Sequence, residues 1–156
     1  YVLKMKQAGF QLVETDDGEA ILEGEFAGYR DCTIGVKTLQ KQDLVHEIVV
    51  LFPSQDKWSG LSYDYERLKS MLTKKYGEPD ECVEKFVDPY MSEDDNGKMY
   101  EVRMDRCEYY SIYNVDDGSI ILSIENFGYP FGCSVGLWYS DKINSEKFDN
   151  AAMEDL

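Results

Sequence analysis

The chain has 156 residues, with 16 Lys and Arg against 31 Asp and Glu, a formal net charge of −15. That balance disfavours nucleic acid and anionic membrane surfaces as partners, since phosphate recognition needs basic patches, and it leaves basic proteins or cations. With 43% apolar and 13% aromatic residues, the chain is not disordered as a whole, and its length suits a single domain that folds without a staple.

The chain opens at Tyr1, inside a helical pattern and without an initiator Met, as expected of a processed or trimmed chain. Residues 1–8 read as the end of a helix, with Val2, Met5 and Ala8 on one face and Gly9 as its cap. Three tight-turn dipeptides follow along the chain: Asp17-Gly18, Asn96-Gly97 and Asp117-Gly118. Such pairs suit the positive φ of hairpin turns. They imply strands at about 10–15, 20–26, 107–115 and 119–125. Residues 32–38 read as a further strand. Residues 44–52 become continuously apolar from Ile48, the mark of a strand buried on both faces.

The stretch 58–77 is the strongest helix. At about 100° per residue, Trp58, Leu61, Tyr65, Leu68, Leu72 and Tyr76 share one face, while Tyr63, Arg67, Ser70 and Lys74 lie opposite. Lys74 and Lys75 in the last turn, Gly77 and then Pro79 stop it. Residues 82–87 follow as a strand, then an acidic loop at 91–97. Residues 98–105 alternate Tyr100, Val102 and Met104 like a strand, although Met99, Val102 and Arg106 also share a short helical face; strand is the expectation. Residues 133–139 close the sheet, and the acidic tail 144–156 is a short helix or a frayed end. No apolar run approaches the roughly 18 residues of a membrane span, so no membrane insertion is expected.

This order predicts an α+β domain covering residues 1–156. It is a tandem repeat of a helix followed by antiparallel strands, at about 1–53 and 54–143, plus the tail, with the helices packed on one face of an antiparallel sheet. Each half pairs charge with cysteine at the opening of a strand, Arg30-Asp31-Cys32 and Asp105-Arg106-Cys107. The four cysteines, Cys32, Cys82, Cys107 and Cys133, form no CxxC pair. They allow two disulfides in three connectivities, or four buried thiols acting as small hydrophobes.

Few residues point to chemistry. His46 is the only histidine and lies in a strand that turns into core two residues later. No G-x-S-x-G elbow, P-loop or dinucleotide glycine pattern occurs. A calcium loop with Gly97 at its sixth position would place Arg103 where a bidentate Glu is needed, so the register fails. Neither a cofactor nor a metal is expected.

The run 126–133, NFGYPFGC, stands apart. Phe127, Tyr129 and Phe131 alternate with Gly128, Pro130 and Gly132, which break a strand and make a loop. These rings either plug the core or form an anchor for a partner. Tyr109, Tyr113 and Tyr139, among twelve tyrosines, can furnish an aromatic sheet face. The expected function is therefore a non-catalytic module that binds a protein or glycan through the loop or the sheet. The alternative is an enzyme acting on a small molecule through carboxylates and tyrosines, which calls for a cleft holding a strongly shifted Asp or Glu.

The run W-x2-L-x3-Y-x2-L-x3-L-x2-KYG-x-P at 58–79, with GEFAGYRDCTIGV at 24–36 and YSDKINSEK at 139–147, resembles a family of small exported bacterial proteins without assigned activity. That resemblance implies a periplasmic or cell-surface location and carries over no functional residues. More loosely, the helix-plus-sheet order is similar to the β-lactamase-inhibitor-protein architecture and to small outer-membrane assembly lipoproteins, which bind proteins.

Overall fold

A computed structural model describes residues 1–39 and 44–154. Among them the order is α1 (Val2–Gln7), β1 (Gln11–Asp16), β2 (Glu19–Phe26), β3 (Tyr29–Leu39), β4 (Leu44–Leu51), α2 (Trp58–Tyr76), β5 (Glu81–Phe86), α3 (Asp95–Arg103), β6 (Cys107–Val115), β7 (Gly118–Asn126), β8 (Cys133–Asp141) and α4 (Lys142–Glu154). All eight strands join one antiparallel sheet in the order β1-β2-β3-β4-β8-β7-β6-β5. The protein is thus a mixed helix and strand fold, predominantly sheet. Two meanders, β1 to β4 and β5 to β8, meet where β4 pairs with β8.

Asp17-Gly18 and Asp116-Asp117 turn the chain from β1 to β2 and from β6 to β7. The turn from β2 to β3 uses Ala27 and Gly28, both at positive φ, between the paired residues Phe26 and Tyr29. A bulge between Leu12 and Glu14 bends the outer strand β1 against β2.

The side-chain period of two sorts the sheet into faces. Register carries one row across every strand: Leu12, Leu22, Ile34, Val50, Leu137, Leu122, Ser111 and Cys82. From Leu22 to Ser111 this row is buried. It lies under the helices. On α2, Trp58, Leu61, Tyr65, Leu68 and Leu72 are buried, five of the six side chains that the 3.6-residue period assigns to its apolar face; Tyr76, at the last turn, is exposed. The helix ends at Gly77, at positive φ, whose amide donates to the Thr73 carbonyl.

The expectation of a strand at 98–105 is corrected: these residues belong mostly to α3. Asp94 caps the helix, its carboxylate accepting from the Gly97 amide at 2.7 Å. Asn96-Gly97 therefore lies in a first helical turn, and no hairpin forms there. Met99 and Val102, three apart, enter the core, while Tyr100 and Met104 stay exposed, the opposite of what strand alternation requires. The tail forms α4, which packs chiefly on β4, where Asn144 Nδ2 donates to the Val45 carbonyl. Residues 155–156 of that tail lie outside the described residues.

All four cysteines are free thiols, Cys32 and Cys133 buried, Cys107 half-buried and Cys82 exposed. Burial pushes the Cys32 thiol up to about 11 and the Cys107 thiol up to about 12. Such protonated thiols behave as small apolar groups. No helix among the described residues is long and apolar enough to cross a membrane.

Candidate functional site

The loop between β7 and β8 holds the aromatic run. Its backbone is closed by two hydrogen bonds, Phe127 N to Gly132 O at 2.9 Å and Gly132 N to Gly128 O at 2.6 Å. Gly128 and Gly132 take positive φ, and the Tyr129–Pro130 peptide is cis. The Asn126 side chain ties the base: its Oδ1 accepts from Gly128 N at 3.0 Å and its Nδ2 donates to the Arg103 carbonyl of α3 at 3.1 Å.

The three rings part company. Tyr129 projects wholly into solvent, with a relative exposure of 101%. Phe131 beside it is 36% exposed. Phe127 is half-buried and folds back on Trp138, with ring centroids 5.9 Å apart. Both rings lie over Gly136, where a Cβ would come within 2.5 Å of Trp138 and 2.8 Å of Phe127. The glycine is a notch that admits them. The loop is therefore anchored by one ring and presents two.

Tyr109, Tyr113 and Tyr139 sit elsewhere. All three point to the helix-covered face. Tyr113 is 1% exposed, its hydroxyl donating to the Lys69 carbonyl and sharing a 3.0 Å hydrogen bond with Thr73. The Tyr109 ring packs edge-on against Trp58 and Tyr65. Tyr139 is half-buried beside Ile48 and Val50. Parity puts these three rings on the side that carries the helices: a strand sends neighbours to opposite sides, and the ring on the far face of β8 is Trp138. Cross-strand register places Val49 and Ile121 beside it. A groove of about 530 Å³ is lined by the far-face residues Glu108, Ile112, Ile121 and Glu125 together with Cys107, Tyr109 and Val102.

Two polar clusters escape the periodicity of the sequence. Asp64 is buried on α2 and accepts from Tyr29 Oη at 3.0 Å and from Gln55 Nε2 at 2.9 Å. The Arg67 guanidinium lies over the Tyr29 ring. The signal was present: Asp64 is three residues from Leu61 and four from Leu68, so a carboxylate stands inside an apolar stripe. Nearer β5, the Tyr65 and Ser111 hydroxyls meet at 2.6 Å, Ser111 donates to Cys82 Sγ, and Lys69 pairs with Glu84. The Lys69 ammonium holds the Glu84 carboxyl below the usual range. That is the signature of an ion pair at a sheet edge rather than of a poised acid in a cleft. Among the described residues no group of three or more His, Cys, Asp or Glu is placed to hold a metal.

The chain matches no family model, no curated protein and no solved structure.

Proposed function

We propose that the protein is a binding module that engages a protein partner through the β7–β8 loop and the adjoining far face of the sheet. The observation that carries this reading is Tyr129, a fully exposed ring held on a hydrogen-bonded loop, with Phe131 at its side. An ordered aromatic pair loses little conformational freedom when it docks, which is why such rings dominate interface energies. Phe127, Trp138 and Ile121 extend the apolar strip, and Glu108 and Glu125 rim it. A partner segment with apolar side chains flanked by Lys or Arg complements that pattern, and so does the net charge of −15. The two helix-led meanders meeting at β4 and β8 support the reading of a tandem repeat, in which each half supplies part of one continuous surface. The resemblance to exported bacterial proteins adds an extracytoplasmic setting.

The test is capture from a native envelope fraction with the purified protein as bait. Partners retained by the wild type are expected to be lost from a Tyr129→Ser/Phe131→Ser variant and kept by Leu3→Ser, which removes an exposed apolar residue elsewhere. Identical capture by all three baits would sink the proposal.

A further inference from the structure

A glycine inside a strand weakens it, so each one calls for a reason. Gly24 and Gly136 have theirs within the fold: a Cβ at Gly24 would run into the Phe10 ring, and one at Gly136 into Trp138 and Phe127. Gly35, in the middle of β3, has no such neighbour among the described residues. A Cβ there would meet only Val49 Cβ, at 4.0 Å, and its φ is not positive. Ile34 and Val36 on either side are buried under the helices, so Gly35 opens on the far face.

Register puts that opening in a row through the middle of six strands: Ile21, Gly35, Val49, Trp138, Ile121 and Ile112. At a strand spacing of about 4.8 Å the row is about 24 Å long. Sheet twist accumulates as rotation about such a line, so the line itself stays straight. The turns of a helix repeat about every 5.4 Å, close to the strand spacing, whereas same-face residues of an extended chain repeat about every 6.7 Å. A helix laid along the row keeps nearly in step with it, and an extended chain does not.

Carboxylates border the row. Glu14 and Glu81 are the register partners of its two end residues, Ile21 and Ile112. Glu19 and Glu23 stand two residues to either side of Ile21 on the same face. All four are exposed. The lysine nearest the opening along β3, Lys37, is already paired with Glu47 at 2.8 Å.

We infer that the far face receives a cationic amphipathic helix of the partner, laid across the strands. One of its apolar side chains fills the gap over Gly35 between Ile21 and Val49, and its flanking Lys or Arg residues meet Glu14, Glu19, Glu23 and Glu81. This inference rests on the proposed protein interface and names the element that the far face takes.

The experiment is calorimetric titration of the purified protein with a Leu/Lys peptide of about 18 residues, whose leucines share one helical face and which spans about 27 Å as a helix. Beside it are titrated a peptide of the same composition with Leu and Lys strictly alternating, and a Leu/Glu helix. The Leu/Lys helix is expected to bind saturably, one per chain, and at least about tenfold tighter than either control. Gly35→Val fills the gap and is expected to weaken that binding by about fivefold or more, with a melting midpoint no lower than the wild type. Glu19→Lys/Glu23→Lys, at two exposed positions, is expected to weaken it at least as much at low salt. Absence of saturable binding, equal or tighter binding of either control peptide, or unchanged affinity in either variant would overturn the inference. The titrations leave the loop intact, so capture that depends on Tyr129 and Phe131 without helix binding would overturn this inference alone.

Discussion

The Phe127 and Trp138 rings meet at a tilt of 36° over Gly136, and that contact fixes one side of an otherwise solvent-facing loop. A methyl group at position 136 would occupy the space of both rings. Gly136→Ala is expected to cost about 1–3 kcal/mol, as overpacking does, and to change the Trp138 fluorescence by displacing its neighbour. A variant with wild-type stability and emission would show that the rings do not rest there.

The exposed rings of the same loop behave oppositely. Tyr129→Ser removes a side chain that touches nothing else in the fold, so the melting midpoint should stay within about 0.5 kcal/mol equivalent of the wild type. Thermal melts of the two variants side by side separate the anchor from the presented tip.

Leu68 stands at the centre of the apolar face of α2, buried against the sheet. Leu68→Ala is expected to cost about 2–5 kcal/mol in urea unfolding. A loss under about half a kilocalorie would mean that α2 does not lie on the sheet.

Tyr65 and Ser111 bury two hydroxyls against each other. Tyr65→Phe leaves the serine without its closer partner and should cost about 1–2 kcal/mol. Adding Ser111→Ala should cost less than its effect alone, because no polar group is then stranded. Strict additivity in that double-mutant cycle would refute the pairing.

Glu84 carries the acid dependence. Its carboxyl is held low by Lys69, so the folded state binds a proton less readily than the unfolded chain. The contribution is present in full above the unfolded value near 4.5 and is lost as pH falls through the lower folded value. Wild type and Glu84→Gln should therefore differ near neutrality, by about 0.2–1 kcal/mol for a partly exposed pair, and converge as pH falls through that lower folded value. Melting curves across that range decide it.

Much of the architecture was legible because it rests on period and on turn chemistry. The stripe on α2, the Gly77 stop and the strands flanking Asp17-Gly18 and Asp117-Gly118 all follow from local rules. Residues 98–105 were misread because a cap decides between two periods that fit equally well: Asp94 bonds to Gly97 and the helix wins. The Ala27-Gly28 turn carried little signal, since alanine at positive φ is chosen by the pairing around it. In the site, glycine and proline revealed the loop, but which ring would anchor it depended on a glycine on another strand. Tyr109, Tyr113 and Tyr139 were assigned to an interaction face by residue type, whereas their side of the sheet depends on parity, which a one-residue shift reverses.

Among the described residues the sheet of eight strands ends in two rims, β1 and β5, each with one row of backbone donors and acceptors unclaimed by a neighbouring strand. A rim of that kind is an invitation to fibre growth, one molecule continuing the ladder of the next. Here the bulge at Leu12 and Glu14 breaks the ladder on one side. Glu14 and Asp16 on that rim, and Glu81 on the other, put like charge at both edges, while Glu84 is paired with Lys69. The acidity of the chain thus extends to both rims of its sheet.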